Sequence, residues 1–131
     1  MALLAPFLLL IVVGAIDIGR FAKFKIVVGN SARVGAQYGS LNVVSAEDFS
    51  GMQAAAASDA TGITLTTVSA TNYCKCADGS AASCTPTACS SNHRILFVSV
   101  TSSATFKPIL KYPFIGSSIA VSRTAVEQVA Q

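Results

Sequence analysis

Residues 1–40, MALLAPFLLLIVVGAIDIGRFAKFKIVVGNSARVGAQYGS, decide the fold. Residues 1–16 carry no charge and almost no polar side chain. Asp17, Arg20 and Lys23 then follow at steps of three, so their charges can pair along one face of a helix. Phe21, Phe24 and Val28 keep an apolar stripe going at i, i+3 and i+7, and Ser31, Gly35 and Gly39 repeat at steps of four. That second series is a face of small residues, which admits another backbone at close range. We read one helix from residue 1 to about residue 40, apolar on every side in its first half and amphipathic in its second. Pro6 removes a backbone donor and is expected to kink it near the start, and Gly14 and Gly29 are further weak points.

Three environments compete for residues 1–16. A cleaved signal peptide needs a basic region before the apolar run and a small-residue cleavage site after it. No Lys or Arg precedes Leu3, and the run passes directly into Asp17-Ile18-Gly19-Arg20. A buried core helix would be apolar all round, and a chain of 131 residues has little interior in which to hide one. A membrane helix fits best. A full span takes roughly 20 apolar residues, so the run is slightly short: either residues lie upstream of it, or its N-terminus sits near the far interface.

The whole chain is 52 % hydrophobic and 11 % charged, against about 25 % charged in an ordinary soluble domain. Its length allows one compact domain and not two. The net charge of +3 is scattered and Trp is absent, which argues against a nucleic-acid-binding surface. We divide the chain into a membrane or filament-core helix, residues 1–28, and a globular domain, residues 29–131, with a cysteine loop at 74–93.

In the globular part, Ser45 followed by Glu47 and Asp48 reads as a capped helix start, giving a second helix over residues 46–60 with Phe49, Met52 and Ala56 on one face. Thr61-Gly62 ends it. Residues 63–73, 94–106 and 117–129 are rich in β-branched residues and read as three strands. Leu96, Val98 and Val100 alternate with Ile95, Phe97 and Ser99 in the second, and Ile119 and Val121 share a face in the third. Pro108, Pro113 and Gly116 force a loop between the last two strands. The expected fold is α+β: a long helix and a short second helix packed on a small antiparallel sheet, with Phe21, Phe24 and Val28 against the sheet's apolar face.

Cys74, Cys76, Cys84 and Cys89 are all the cysteines, and they fall in one short loop. Zinc hooks take Cys-x2–4-Cys pairs, which Cys74-x-Cys76 does not match. Disulfides are therefore favoured, and with them an oxidising compartment. A ring closed between Cys74 and Cys76 would be strained. Two pairings remain: Cys74–Cys89 with Cys76–Cys84, or Cys74–Cys84 with Cys76–Cys89. We favour the first, nested pair. Either would stiffen the loop, at roughly 2–4 kcal/mol per closure.

No catalytic constellation is visible. His93 is the only histidine, and its neighbours Cys89, Ser90 and Ser91 specify no nucleophile or acid partner. There is no phosphate-binding Gly loop, no paired-carboxylate site and no haem-attachment motif, so no enzyme activity, cofactor or metal is expected. Lys107 and Lys111 read as solvated loop residues that can reach a neighbouring subunit. Asp17 and Arg20 read equally as an intrahelical pair at the membrane boundary and as a bridge between subunits.

The stretch Ala2-Leu3, Pro6 to Leu10 and Gly14-Ala15-Ile16-Asp17-Ile18-Gly19-Arg20, followed by Asn30-Ser31-Ala32-Arg33-Val34-Gly35-Ala36, resembles the N-terminus of TadE/TadG-like pseudopilins of the tight-adherence (Tad) pilus, a branch of the type IV pilus superfamily. The resemblance reaches the Pro113-Phe114 connection and the last strand, and leaves out only the cysteine loop. It implies a precursor trimmed by a prepilin peptidase, held in the inner (cytoplasmic) membrane, and polymerised by pilus assembly machinery into an extracellular homopolymeric filament. On that reading Leu3, Leu4, Pro6, Phe7, Leu8, Leu9, Leu10, Ile11, Val12, Val13, Ile16, Asp17, Arg20, Phe21 and Phe24 form the filament core. If the chain is the mature form, position 5 is Ala5 where type IV pilins carry an acidic residue, so apolar packing has to set the register between subunits. The family also contains minor subunits that initiate or tip a filament, and a membrane-anchored binding or adhesion module is a further alternative.

Overall fold

A computed structural model of the chain describes residues 4–85, 87–89, 93–110 and 116–130. The elements follow in the order α1 (Leu4–Ser40), α2 (Val43–Glu47), α3 (Phe49–Asp59), β1 (Leu65–Cys76), β2 (Ala81–Ala82), β3 (Arg94–Phe106) and β4 (Ile119–Gln128). All strand pairs are antiparallel, in the order β2-β1-β3-β4. The fold is the α+β arrangement expected. Leu3, Ser90, Ser91, Lys111, Pro113 and Phe114 lie outside the described residues.

The first helix is continuous as read. Pro6 lies within α1, and the described helix runs through it without interruption. Its second half lies across the sheet with Val28, Ser31, Ala32, Gly35, Ala36 and Gly39 buried, one face at helical spacing. The small residues bring α3 into close contact with α1. A Cβ on Gly35 would stand 2.8 Å from the carbonyl oxygen of Met52 and 3.0 Å from Val100, and one on Gly39 would overlap the Met52 sulfur. Met52, Ala56, Cys74, Leu96, Val98, Val100 and Val129 complete this half of the core. Nearer the membrane-type segment, Val28 packs with Ala104 and Val121, and Phe21 and Phe24 meet the Phe106 ring edge-on at 5.2 and 5.4 Å. The strand residues in this core alternate along β3 as the sequence pattern requires. At the far end, Ala130 donates its N–H to Ser40, tying the chain end to the end of α1.

The second helix is two helices. Asn42, in extended conformation, caps α2 by accepting from the Ser45 N–H at 2.8 Å, so Ser45 lies inside a helix and is not its cap. Asp48 leaves the helical conformation at ψ 76° and caps α3, accepting from the Gly51 N–H at 2.9 Å. Asp48 is further held by the Tyr38 and Ser50 hydroxyls. The Gly51 N–H, then Ser50, then Tyr38 hold its carboxyl below the usual aspartate range. The break places Phe49 at the first position of α3, 39 % exposed, while Met52 and Ala56 are buried as expected.

The disulfides are Cys74–Cys84 and Cys76–Cys89, not the nested pair favoured above. The hairpin explains why. Gly79 turns the chain at φ +87°, and β1 pairs with β2 through Cys74–Ala82 and Lys75–Ala81. Continuing that register sets Cys84 opposite Asn72, nearer to Cys74 than to Cys76. The strand also extends past the expected end at Tyr73, and this carries both Cys74 and Cys76 into the sheet with their side chains buried on one face.

Close packing at Gly35 makes a test. Gly35→Ala is expected to lower stability by about 1–3 kcal/mol, because the new methyl meets backbone. Gly19→Ala, with nothing within 4 Å of the added carbon, is expected to raise it by up to about 1 kcal/mol through helix propensity. Equilibrium denaturation followed by near-UV circular dichroism reads both; equal effects would contradict the packing described.

Candidate functional site

The chemistry-bearing feature is the leading part of α1 and the point where it meets the domain. From Leu4 to Ile16 the helix carries eight large apolar side chains that face solvent, among them Phe7 at 63 % and Leu9 at 65 % exposure. α1 is long and apolar enough to cross a membrane, and only 6 % of its most apolar window is buried. A core helix of a soluble protein would be mostly covered, so this exposure separates the two. Pro6 is exposed and Val13 half-buried on the same segment.

The projecting segment ends at Asp17, which is 4 % exposed. Its carboxylate accepts from Arg20 Nη1 at 2.8 Å, from the Ile109 N–H at 2.9 and 3.1 Å, and from the Leu110 N–H at 3.3 Å. The helical step of three brings Arg20 onto Asp17, and the chain leaving β3 turns at Pro108 so that the next two amides reach the same carboxylate. An ionised group beside an apolar run is costly unless paired; here backbone donors and a guanidinium satisfy it together. Arg20 also lies over the Phe106 ring at 5.5 Å.

Asp17 and Arg20 thus form the intrahelical pair, and within the protomer that pair also anchors the loop after β3. Phe21 and Phe24, placed above with the filament-core residues, are occupied by Phe106 of their own sheet. Among the described members of that set, the outward-facing ones are Leu4, Pro6 to Val12, Ile16 and Arg20. Domain packing begins at Asp17, ahead of the boundary at residue 28. The loop anchor was the functional contact that sequence reasoning missed. Its only signals were a lone carboxylate in an apolar helix and a Pro that frees the following amides from strand pairing.

Elsewhere the candidates are plain. All four cysteines are oxidised, and among the described residues no three His, Cys, Asp or Glu side chains converge as a metal site. His93 is exposed at the start of β3, and Lys107 is exposed just after its end.

Residues 1–37 match the family model described as TadE-like protein. That is the family whose resemblance was drawn from Asp17 to Arg20 and Asn30 to Ala36, and the first helix carries its signature. The match covers the first helix and does not reach the sheet, the connection before β4 or the cysteine loop. No curated protein and no solved structure matches the chain.

Removing the Asp17 carboxylate tests the anchor. Asp17→Ala leaves two amides without their charged acceptor, a contribution of roughly 1.5–3 kcal/mol for hydrogen bonds to a charged group. Amide exchange at Ile109 and Leu110 should quicken at least about tenfold, with Val98 and Val100 in the sheet unchanged. Unaltered exchange at Ile109 would show that the carboxylate does not hold the loop.

Proposed function

We propose, with the TadE-like first helix as premise, that this chain is a structural subunit of a Tad-type, type IV-like pilus. In this reading Leu4 to Ile16 hold the subunit in the cytoplasmic membrane before assembly and pack among identical neighbours afterwards. The observation that carries it is the uncovered apolar helix, continuous with a folded domain. Fully burying a large apolar side chain contributes about 1.5–3 kcal/mol relative to water. Eight half-exposed ones leave on the order of 10 kcal/mol unrealised, as much as the whole stability of a typical domain. Such a surface requires a cover.

Two covers are compatible with an unchanged helix. A bilayer accepts it because every backbone group inside is satisfied within the helix. A bundle of identical helices accepts it for the same reason. Moving from one to the other exchanges apolar contact for apolar contact, so the free-energy difference is small and an assembly machine has to drive extraction. A prepilin peptidase acting on a precursor belongs to the same reading. The disulfide-stapled hairpin and the sheet then face outward, on the extracellular side. The role is mechanical, with no catalytic step.

Val12→Asp is the test. Val12 is 53 % exposed on the projecting segment, and an Asp at the middle of a membrane helix costs about 2.5–3.5 kcal/mol. Filaments seen by electron microscopy should vanish in the variant, while the soluble domain keeps both disulfides and its near-UV spectrum. Intact filaments would exclude a core built from this helix. Wild-type filaments composed mainly of another protein would make the chain a minor, initiating or tip subunit instead. A wild-type chain found only as a membrane-held monomer would favour the adhesion module.

A further inference from the structure

We propose that Arg20, Lys23 and Lys107 form a seat for the phosphate of an anionic phospholipid, at the level where α1 leaves the bilayer. The seat rests on the membrane residence argued above. A cleft of about 400 Å³ opens between α1 and the end of β3, and these three cations share its lining with Phe24, Phe106 and Ile63. The placement follows from the two elements. Arg20 and Lys23 are neighbours on one helix face, and Phe106 is buried at the end of β3, so that Lys107, the next residue, points outward.

Among the described residues, no carboxylate lines this cleft. Asp17 lines a separate apolar cleft with Ile18 and Pro108, on the other side of Phe106, and its oxygens are engaged by Arg20 and the loop amides. Neither Lys23 nor Lys107 is ion-paired with a described residue, and both are exposed. Arg20 gives one nitrogen to Asp17 and still has a side chain 47 % exposed, with further donors available. A guanidinium fork beside two ammonium groups matches the unesterified oxygens of a phosphodiester.

Depth selects the lipid source. At about 1.5 Å per residue, Arg20 stands about 6 Å and Lys23 about 10 Å beyond Ile16. The polar layer on each side of a bilayer is roughly 5–8 Å thick. Arg20 therefore falls within the headgroup layer when the apolar segment is in the hydrocarbon, and the long Lys23 side chain, leaning toward the helix N-terminus, reaches back to it. A second basic groove, with Arg33 and Arg123, also contains Glu127 and lies farther along α1, away from that level.

The full chain is incorporated into phosphatidylcholine bilayers holding a minority of phosphatidylglycerol, extracted into mild detergent, and the retained lipid is quantified by mass spectrometry. Wild type should retain phosphatidylglycerol about tenfold above its bulk share, each basic group near the surface favouring anionic lipid. The Lys23→Gln/Lys107→Gln variant should retain it only at its bulk share, and Lys75→Gln, on β1, should behave as wild type. Intact disulfides, read from the protein mass, verify the fold of each variant. Equal enrichment in wild type and the double variant, or none in wild type, overturns the seat while leaving membrane residence standing. Displacement of the lipid by millimolar inorganic phosphate at matched ionic strength also overturns it, in favour of a free-anion site. Failure to enter pure phosphatidylcholine bilayers overturns the membrane reading and the seat together.

Discussion

One helix has to satisfy two neighbourhoods at once. Its second half is fixed by a face of small residues against α3 and the sheet, while its first half displays Phe7, Leu9, Ile11 and similar side chains to whatever surrounds it. An α-helix can do this because its backbone hydrogen bonds are internal, so the apolar half needs a cover for its side chains only. The core contacts of the domain involve the second half of the helix and leave the first half uncovered. Asp17 stands at the boundary. By taking the amides of Ile109 and Leu110, it fixes the loop after β3 to the helix just where the sheet ends. The projecting segment is thus held at a set rotation relative to the domain, and any lattice formed by the helices would be passed on to the domains.

The domain itself has a thin core. Beneath α1 the close approach at Gly35 and Gly39 lets Met52 and Ala56 fill the space over the sheet, so helix and sheet share one short layer of side chains. Small domains commonly compensate for such limited burial with covalent staples. Here both disulfides start from the end of β1, next to the core, and tie in the chain that follows the β1–β2 hairpin. On the opposite face of the sheet hydroxyls bond across strands between Thr101 and Thr124 and between Ser103 and Ser122, and toward the hairpin end Tyr73 stacks on Phe97. Those hydroxyls are compatible with water, whereas the uncovered side chains of Leu4 to Ile16 call for an apolar cover.

Much of this was readable from residue order, for identifiable reasons. The extent of α1 follows from an apolar run that passes into an i, i+3, i+7 stripe, and β3 follows from Leu96, Val98 and Val100 in alternation with Ile95, Phe97 and Ser99. The break at Asp48 was not readable. Ser45, Glu47 and Asp48 together resemble one capped start, and only the folded chain, with Asp48 accepting from the Gly51 N–H and from the Tyr38 hydroxyl of α1, shows which residue caps α3. Cysteine spacing left two pairings open because the choice depends on the register of a hairpin with a two-residue second strand. The partners of Asp17 were hidden for a related reason: a carboxylate in a helix and an amide 92 residues later have no local signature in common. Phe21 and Phe24 look the same in sequence whether they meet Phe106 or a neighbouring subunit, and only the tertiary contact assigns them to the domain.

In the proposed filament, Leu4 to Ile16 end among copies of themselves. A photoactivatable phenylalanine analogue at Leu9, 65 % exposed on that segment, reports its neighbours directly in sheared, purified filaments. Irradiation should give a ladder of covalent multiples of this chain. Adducts formed only with lipid, or only with a different protein, would contradict it.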